Sequence, residues 1–182
     1  MTINQTMPRR DHIDFQDRST AVAYLITFRC YGTWLHGDER GSQDRRFHNR
    51  YGAPKIAPDP DKVASRERLL KSQPFLLGPR EREVVEAAIK ETCRYREYLL
   101  HAQHVRTNHA HVVVENSDTP ERIINAFKAN ATRALRSARL LGQSDKAWSR
   151  HGSTKYLWTD AEVTNAIDYV LYSQGDELPS GS

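Results

Sequence analysis

The sequence has little cysteine. Cys30 and Cys93 are its only two, and no Cys-x-x-Cys occurs. This leaves no basis for a disulfide scaffold or a thiolate zinc site, and it fits a reducing cytoplasm. Long apolar runs are also missing: no stretch approaches the ~20 residues that a membrane span needs. The N-terminal segment, with Asp11, Asp14 and Asp17, lacks the apolar core of a secretion signal. Internal repeats and low-complexity segments are absent. Charge of one sign is only slightly in excess, with 27 Lys and Arg against 23 Asp and Glu, a net +4. The isoelectric point is about 9.1. Such mild basicity permits an anionic partner without requiring one. With 182 residues, 38% hydrophobic and 27% charged, the chain reads as a soluble protein of one globular domain, 1–182, enlarged by an insertion.

Residues 1–20 are polar and mixed in charge, and read as an irregular arm. Residues 21–31 change character. Val22, Tyr24, Ile26, Phe28 and Cys30 alternate with Ala23, Leu25, Thr27 and Arg29, which predicts a strand. One face is wholly apolar and Leu25 adds to the other, so the strand is expected to be central. Residues 32–78 form a loop-rich insertion, with Gly32, Gly37, Gly41 and Gly52, then Pro54, Pro58 and Pro60. A short helix is expected within it at 61–71. Its Arg45 and Arg46, among His and aromatic side chains, suit a nucleic-acid backbone; a solvated insertion is the plainer alternative.

Residues 79–98 predict a helix, with Pro79 in its first turn and Val84, Val85, Ala88, Ile89 and Cys93 on one stripe. Residues 98–106 predict a strand with Leu99, His101, Gln103 and Val105 on one face. Thr107 and Asn108 then turn tightly into the next strand, making a hairpin. After Asp118 or Thr119 as cap and Pro120 in first position, a helix buries Ile124, Phe127, Ala131, Ala134 and Leu135. Lys128, Arg133, Arg136 and Arg139 are expected outside that stripe, either as a solvated basic face or as phosphate contacts. Residues 142–145 are a turn. Residues 148–158 read as a basic, aromatic connector containing Arg150, His151 and Lys155, with a short strand at 155–158. The last helix opens with a capping box, Thr159 and Glu162. It carries an apolar stripe of Val163, Ala166, Ile167, Val170 and Leu171. Gly175 ends it, and 175–182 is a polar tail.

The strongest chemical signal is the run Asn108-His109-Ala110-His111-Val112-Val113-Val114. Alternation along a strand puts His109 and His111 on one face and Ala110, Val112 and Val114 on the other. Two adjacent imidazoles on a rigid strand can share one metal ion; two half-exposed polar residues are the simpler alternative. On the last helix, at ~100° per residue, Tyr169 and Tyr172 fall off the apolar stripe, where a purely structural tyrosine would more often sit. A metal held by two histidines can polarise a phosphodiester, and a tyrosine hydroxyl can attack its phosphorus.

His109-Ala110-His111 resembles the HUH motif, histidine-hydrophobe-histidine. Ala166-Ile167-Asp168-Tyr169-Val170 resembles the nucleophile helix of single-tyrosine HUH transposases, and the whole is similar to the REP-associated tyrosine transposases. The resemblance covers 21–31 and nearly all of 79–174. The order of predicted elements, strand, helix, strand, strand, helix, short strand and helix, is itself an α+β, ferredoxin-like βαββαβ pattern with one additional C-terminal helix carrying the tyrosine. The resemblance implies cleavage and rejoining of single-stranded DNA near a hairpin, with Mg²⁺ or Mn²⁺, through a 5′-phosphotyrosine and a free 3′-hydroxyl. Tyr169 would be the nucleophile, with Tyr172 as rival, and His109 and His111 metal ligands. The family's third ligand, Gln or Asn one turn after the tyrosine, has no counterpart at Ser173. Gln174 stands one place further, ~140° round an ideal helix, and needs a distorted last turn to serve. DNA contacts are expected at Arg45, Arg46, Lys128, Arg133, Arg150, His151 and Lys155, and a homodimer is implied.

Other classes stay open. A His-x-His amidohydrolase would need a barrel of ~250 residues, which this chain is too short to supply. A metal-free nucleic-acid-binding module of the same fold expects aromatics where His109 and His111 stand. A domesticated HUH protein that binds or nicks hairpins without transposing, and a hydrolytic metallophosphoesterase with Tyr169 as bystander, complete the set.

Overall fold

The computed structural model describes residues 21–33 and 59–173. The N-terminal arm, the part of the insertion holding Arg45 and Arg46, Gln174 and the polar tail lie outside the described residues. The elements run β1 (Ala23–Cys30), α1 (Pro60–Arg68), α2 (Pro79–Arg96), β2 (Leu99–Val105), β3 (His109–Glu115), α3 (Pro120–Ser137), β4 (Trp148–Leu157) and α4 (Asp160–Tyr172). The class is mixed α+β. One antiparallel sheet has the strand order β2-β3-β1-β4.

β1 is central, paired with β3 on one side and β4 on the other. Tyr24, Ile26, Phe28 and Cys30 join Ala110, Val112 and Val114 of β3 under α2 and α3, in the main core. Val85, Ala88, Ile89 and Cys93 supply the α2 side of that core, and Ile123, Ile124, Phe127, Ala131 and Leu135 the α3 side. The opposite sheet face carries a second, smaller core: Ala23, Ala102, Val113 and Leu157 beneath Val163, Ala166 and Val170 of α4. Burying Val163 and Val170 stabilises the docking of α4 by about 1.5–3 kcal/mol each. Leu171, expected on the α4 stripe, is 45% exposed, because the small core ends before it.

Two strands depart from expectation. Leu100 stands opposite Val114 but Ala102 opposite Val113, so His101 is the extra residue of a β-bulge. The bulge breaks the face proposed for Leu99, His101, Gln103 and Val105. Leu100, Gln103 and Val105 share the main-core face, while Ala102 and His104 turn to the α4 face. The connector at 148–158 is in fact a ten-residue edge strand, β4. An edge strand is wetted along one side, so Arg150, His151, Ser153 and Lys155 are exposed and no apolar alternation announces it. Gly152 is needed there, since a Cβ would lie 2.7 Å from the Thr27 carbonyl oxygen.

Lys128 also differs from its expected surface position. It is only 9% exposed, and its Nζ donates to the carbonyls of Ser149 at 2.8 Å and His151 at 3.1 Å. The ammonium thus ties β4 to α3. Burial lowers its pKa from the ordinary 10.5 to about 8. Between those values the unfolded chain still binds a proton that the folded chain has released, so stability rises with pH through that window. Lys128→Met has no such group. In urea titrations from pH 8 to 10.5 the wild type should gain stability relative to Lys128→Met; a constant difference would mean that the ammonium is not desolvated.

Candidate active site

The site is built on β3. Its register with β1 sets His111 opposite Thr27 and His109 opposite Arg29. Its register with β2 sets His111 opposite His104. Residues directly opposite in an antiparallel pair share a face. Thr27, Arg29, His104, His109 and His111 therefore line one polar patch on the sheet, on the side that α4 covers in part.

Both imidazoles of the pair are held at Nδ1. His109 Nδ1–H donates to Asn108 Oδ1 at 2.6 Å. His111 Nδ1 and Thr27 Oγ1 are hydrogen-bonded at 2.7 Å. The two rings meet edge to face with centroids 4.6 Å apart. His111 is buried, while His109 is part-exposed at the end of the strand.

α4 brings in the tyrosine. Tyr169 is 44% exposed, and its ring lies 5.7 Å from that of His111 at 74°. Tyr172, the rival nucleophile, is 79% exposed. The geometry thus gathers His109, His111 and Tyr169 from two elements on one sheet face. Cys30 and Cys93 take no part: burial pushes their thiols up to about 12 and about 11, so neither offers a thiolate at neutral pH.

In searches against known proteins, no family model and no curated protein matches the sequence. Among solved structures, a REP-associated tyrosine transposase bound to a REP hairpin is similar at 12% identity and a TM-score of 0.44. The match covers 83% of this chain and 65% of that one, so the chain spans under two thirds of that protein's length. The likeness is distant.

The basic residues expected to bind DNA divide between the two sides of the sheet. Lys155 stands opposite Leu25, on the face of the histidine pair. Arg150 and His151 are exposed on the same edge strand. Arg133 lies on the far side, on α3, where its guanidinium donates to Asn130 Oδ1. It borders a shallow depression of about 650 Å³ shared with Lys128, Thr132, Arg136 and Gln143. Three residues of the polar patch went unnoticed in sequence. Thr27 and Arg29 come from a strand far away in the chain, and no local pattern reveals their register. His104 was within reach: a two-residue turn at Thr107 and Asn108 pairs position 104 with 111.

Among the described residues no group of three or more His, Cys, Asp and Glu side chains is gathered as a metal site. The histidine pair itself still fits a divalent ion. His109 carries its proton on Nδ1, the tautomer in which Nε2 is the metal-binding nitrogen, and His111 matches it where Thr27 Oγ1 is the acceptor. Asn108→Ala should weaken Mn²⁺ binding roughly 10–100-fold with an unchanged circular dichroism spectrum. Titration calorimetry checks this, and unchanged affinity would show that the ion, if bound, does not use His109.

Proposed function

We propose that the chain is a single-stranded DNA transposase or endonuclease of the HUH single-tyrosine type, acting near hairpins. The observation that carries this reading is the Tyr169 ring beside His111, with His109 adjacent on the same strand. The element order and the sheet order β2-β3-β1-β4 suit the ferredoxin-like βαββαβ pattern expected from sequence, with α1 in the insertion and α4 as the additional C-terminal helix.

In the proposed reaction the Tyr169 hydroxyl oxygen attacks the phosphorus of a phosphodiester. A bond forms from phosphorus to that oxygen, and the bond from phosphorus to the 3′-oxygen breaks. The phenolic proton passes to solvent or a base, and the departing 3′-oxygen takes up one proton. The products are a 5′-phosphotyrosine and a free 3′-hydroxyl, and the reverse steps rejoin strands with no net loss of ester bonds. A divalent ion held by His109 and His111, with Gln174 as the third ligand, would supply charge stabilisation at the scissile phosphate. Asn108 and Thr27 keep the imidazoles oriented, and β4 offers Arg150, His151 and Lys155 to the DNA backbone. Two cleavage events are needed for strand exchange, so the working form is a homodimer.

Incubation with a single-stranded hairpin oligonucleotide and Mn²⁺, followed by a denaturing gel, tests the reading. Wild type and Tyr172→Phe should form a covalent protein–DNA adduct, and Tyr169→Phe should form none while keeping its fold and affinity. Adduct mapped to Tyr172 would shift the nucleophile by one turn; undiminished cleavage in both variants would make the reaction hydrolytic. His109→Ala and His111→Ala should lower adduct formation about 100-fold or more and leave hairpin binding within a few fold. Either variant cleaving like wild type removes the metal site from the mechanism.

Affinity for the same oligonucleotide should fall steeply with salt, with a log–log slope of several units, as phosphates exchange counterions for Lys and Arg. The double variant Arg150→Glu, Lys155→Glu should reduce that slope by about 2. A flat salt response would contradict a backbone-tracking binder.

A further inference from the structure

α4 carries Tyr169, and its two ends are secured differently. The N-terminal end is closed from within. Thr159 Oγ1 accepts from the Glu162 amide at 3.2 Å, and Glu162 Oε2 accepts from the Trp158 amide at 2.7 Å. At the C-terminal end the Ser173 amide donates to the Tyr169 carbonyl at 3.2 Å, and the last turn of α4 has no basic residue to face its carbonyls. Here a donor comes from the sheet. His104 Nδ1 lies 3.1 Å from the Val170 carbonyl oxygen. A carbonyl only accepts, so Nδ1 carries the proton and donates. The bond falls on the residue next to Tyr169. His104 also stands directly opposite His111 in the β2–β3 register. One side chain thus holds the tyrosine helix and sits beside the strand of the histidine pair.

We propose that His104 is a positioning residue that pins the last turn of α4 to β2 and sets the Tyr169 ring against His111. Its relevance to catalysis rests on the reading of Tyr169 as nucleophile; the pinning itself does not. The apolar footing of α4 is confined to Val163, Ala166 and Val170, with Ile167 half-buried. Such slippery contacts fix how deep a helix sits better than how it is rotated. A directional bond at the helix end fixes the rotation, and rotation decides where an off-stripe residue points.

Asparagine and glutamine separate this role from packing. The asparagine side-chain nitrogen occupies the place of imidazole Nδ1, whereas that of glutamine matches Nε2. Backbone hydrogen exchange is measured on the full chain. Amides of α4 should exchange about tenfold faster in His104→Ala and His104→Gln, and within about twofold of wild type in His104→Asn. Amides of α2 and α3 should be unchanged in all three. If His104→Ala also loosens α2 and α3, the contrast between Asn and Gln decides. Equal α4 exchange in His104→Ala and wild type, or His104→Asn no better than His104→Gln, overturns the proposal. In the hairpin–Mn²⁺ assay at saturating oligonucleotide, adduct formation should slow about tenfold in the Ala and Gln variants and recover in Asn, with the oligonucleotide Kd unchanged. A wild type that forms no adduct would sink the strand-cleavage reading and leave the exchange measurement to judge the pin.

Discussion

The arrangement depends on the burial of both faces of β3. Val112 and Val114 are sealed beneath α2 and α3, and Val113 is sealed beneath α4. A slip of one residue would turn His109 and His111 into the main core and Ala110 and Val112 out of it. Desolvating two imidazoles without partners costs far more than the sheet could regain. The strand therefore has one register, and the histidine pair has one face. Everything at the candidate site, from Thr27 to Tyr169, is placed relative to that register.

The two cores are unequal, and the site lies on the thinner side. The main core gathers β1, β3, α2 and α3 through large side chains such as Phe28 and Phe127, whose rings stack with centroids 6.5 Å apart. The α4 side is built mostly from alanine and valine. Small contacts of this kind allow an element to open locally without unfolding the sheet. Under the proposed strand-cleavage reading, Tyr169 gains from such a mounting, since it has to reach a phosphate, hold it and release it. The polar bond from His104 gives that light mounting its direction.

Positive charge is used in two ways that composition does not separate. Lys128 is spent inside the fold, bridging two carbonyls of β4. Lys155, Arg150 and His151 remain exposed on β4. Arg133 sits on α3, across the sheet from the histidines.

The elements with strong periodicity were legible in sequence. β1 as a central strand, the stripe of α2, the Thr107–Asn108 turn and the Thr159–Glu162 box all follow from local pattern, because burial on one side of a helix or both sides of a strand imprints a period on the chain. The alternation of His109 and His111 against Ala110 and Val112 likewise required no tertiary knowledge. What pattern could not supply were the features decided by a neighbour. The bulge at His101 depends on how β2 meets β3, the length of β4 on its pairing with β1, and the burial of Lys128 on carbonyls from another element. Thr27, Arg29 and His104 join the patch for the same reason: a strand's own sequence sets which residues share a face, but only the pairing of distant strands sets which residues stand side by side.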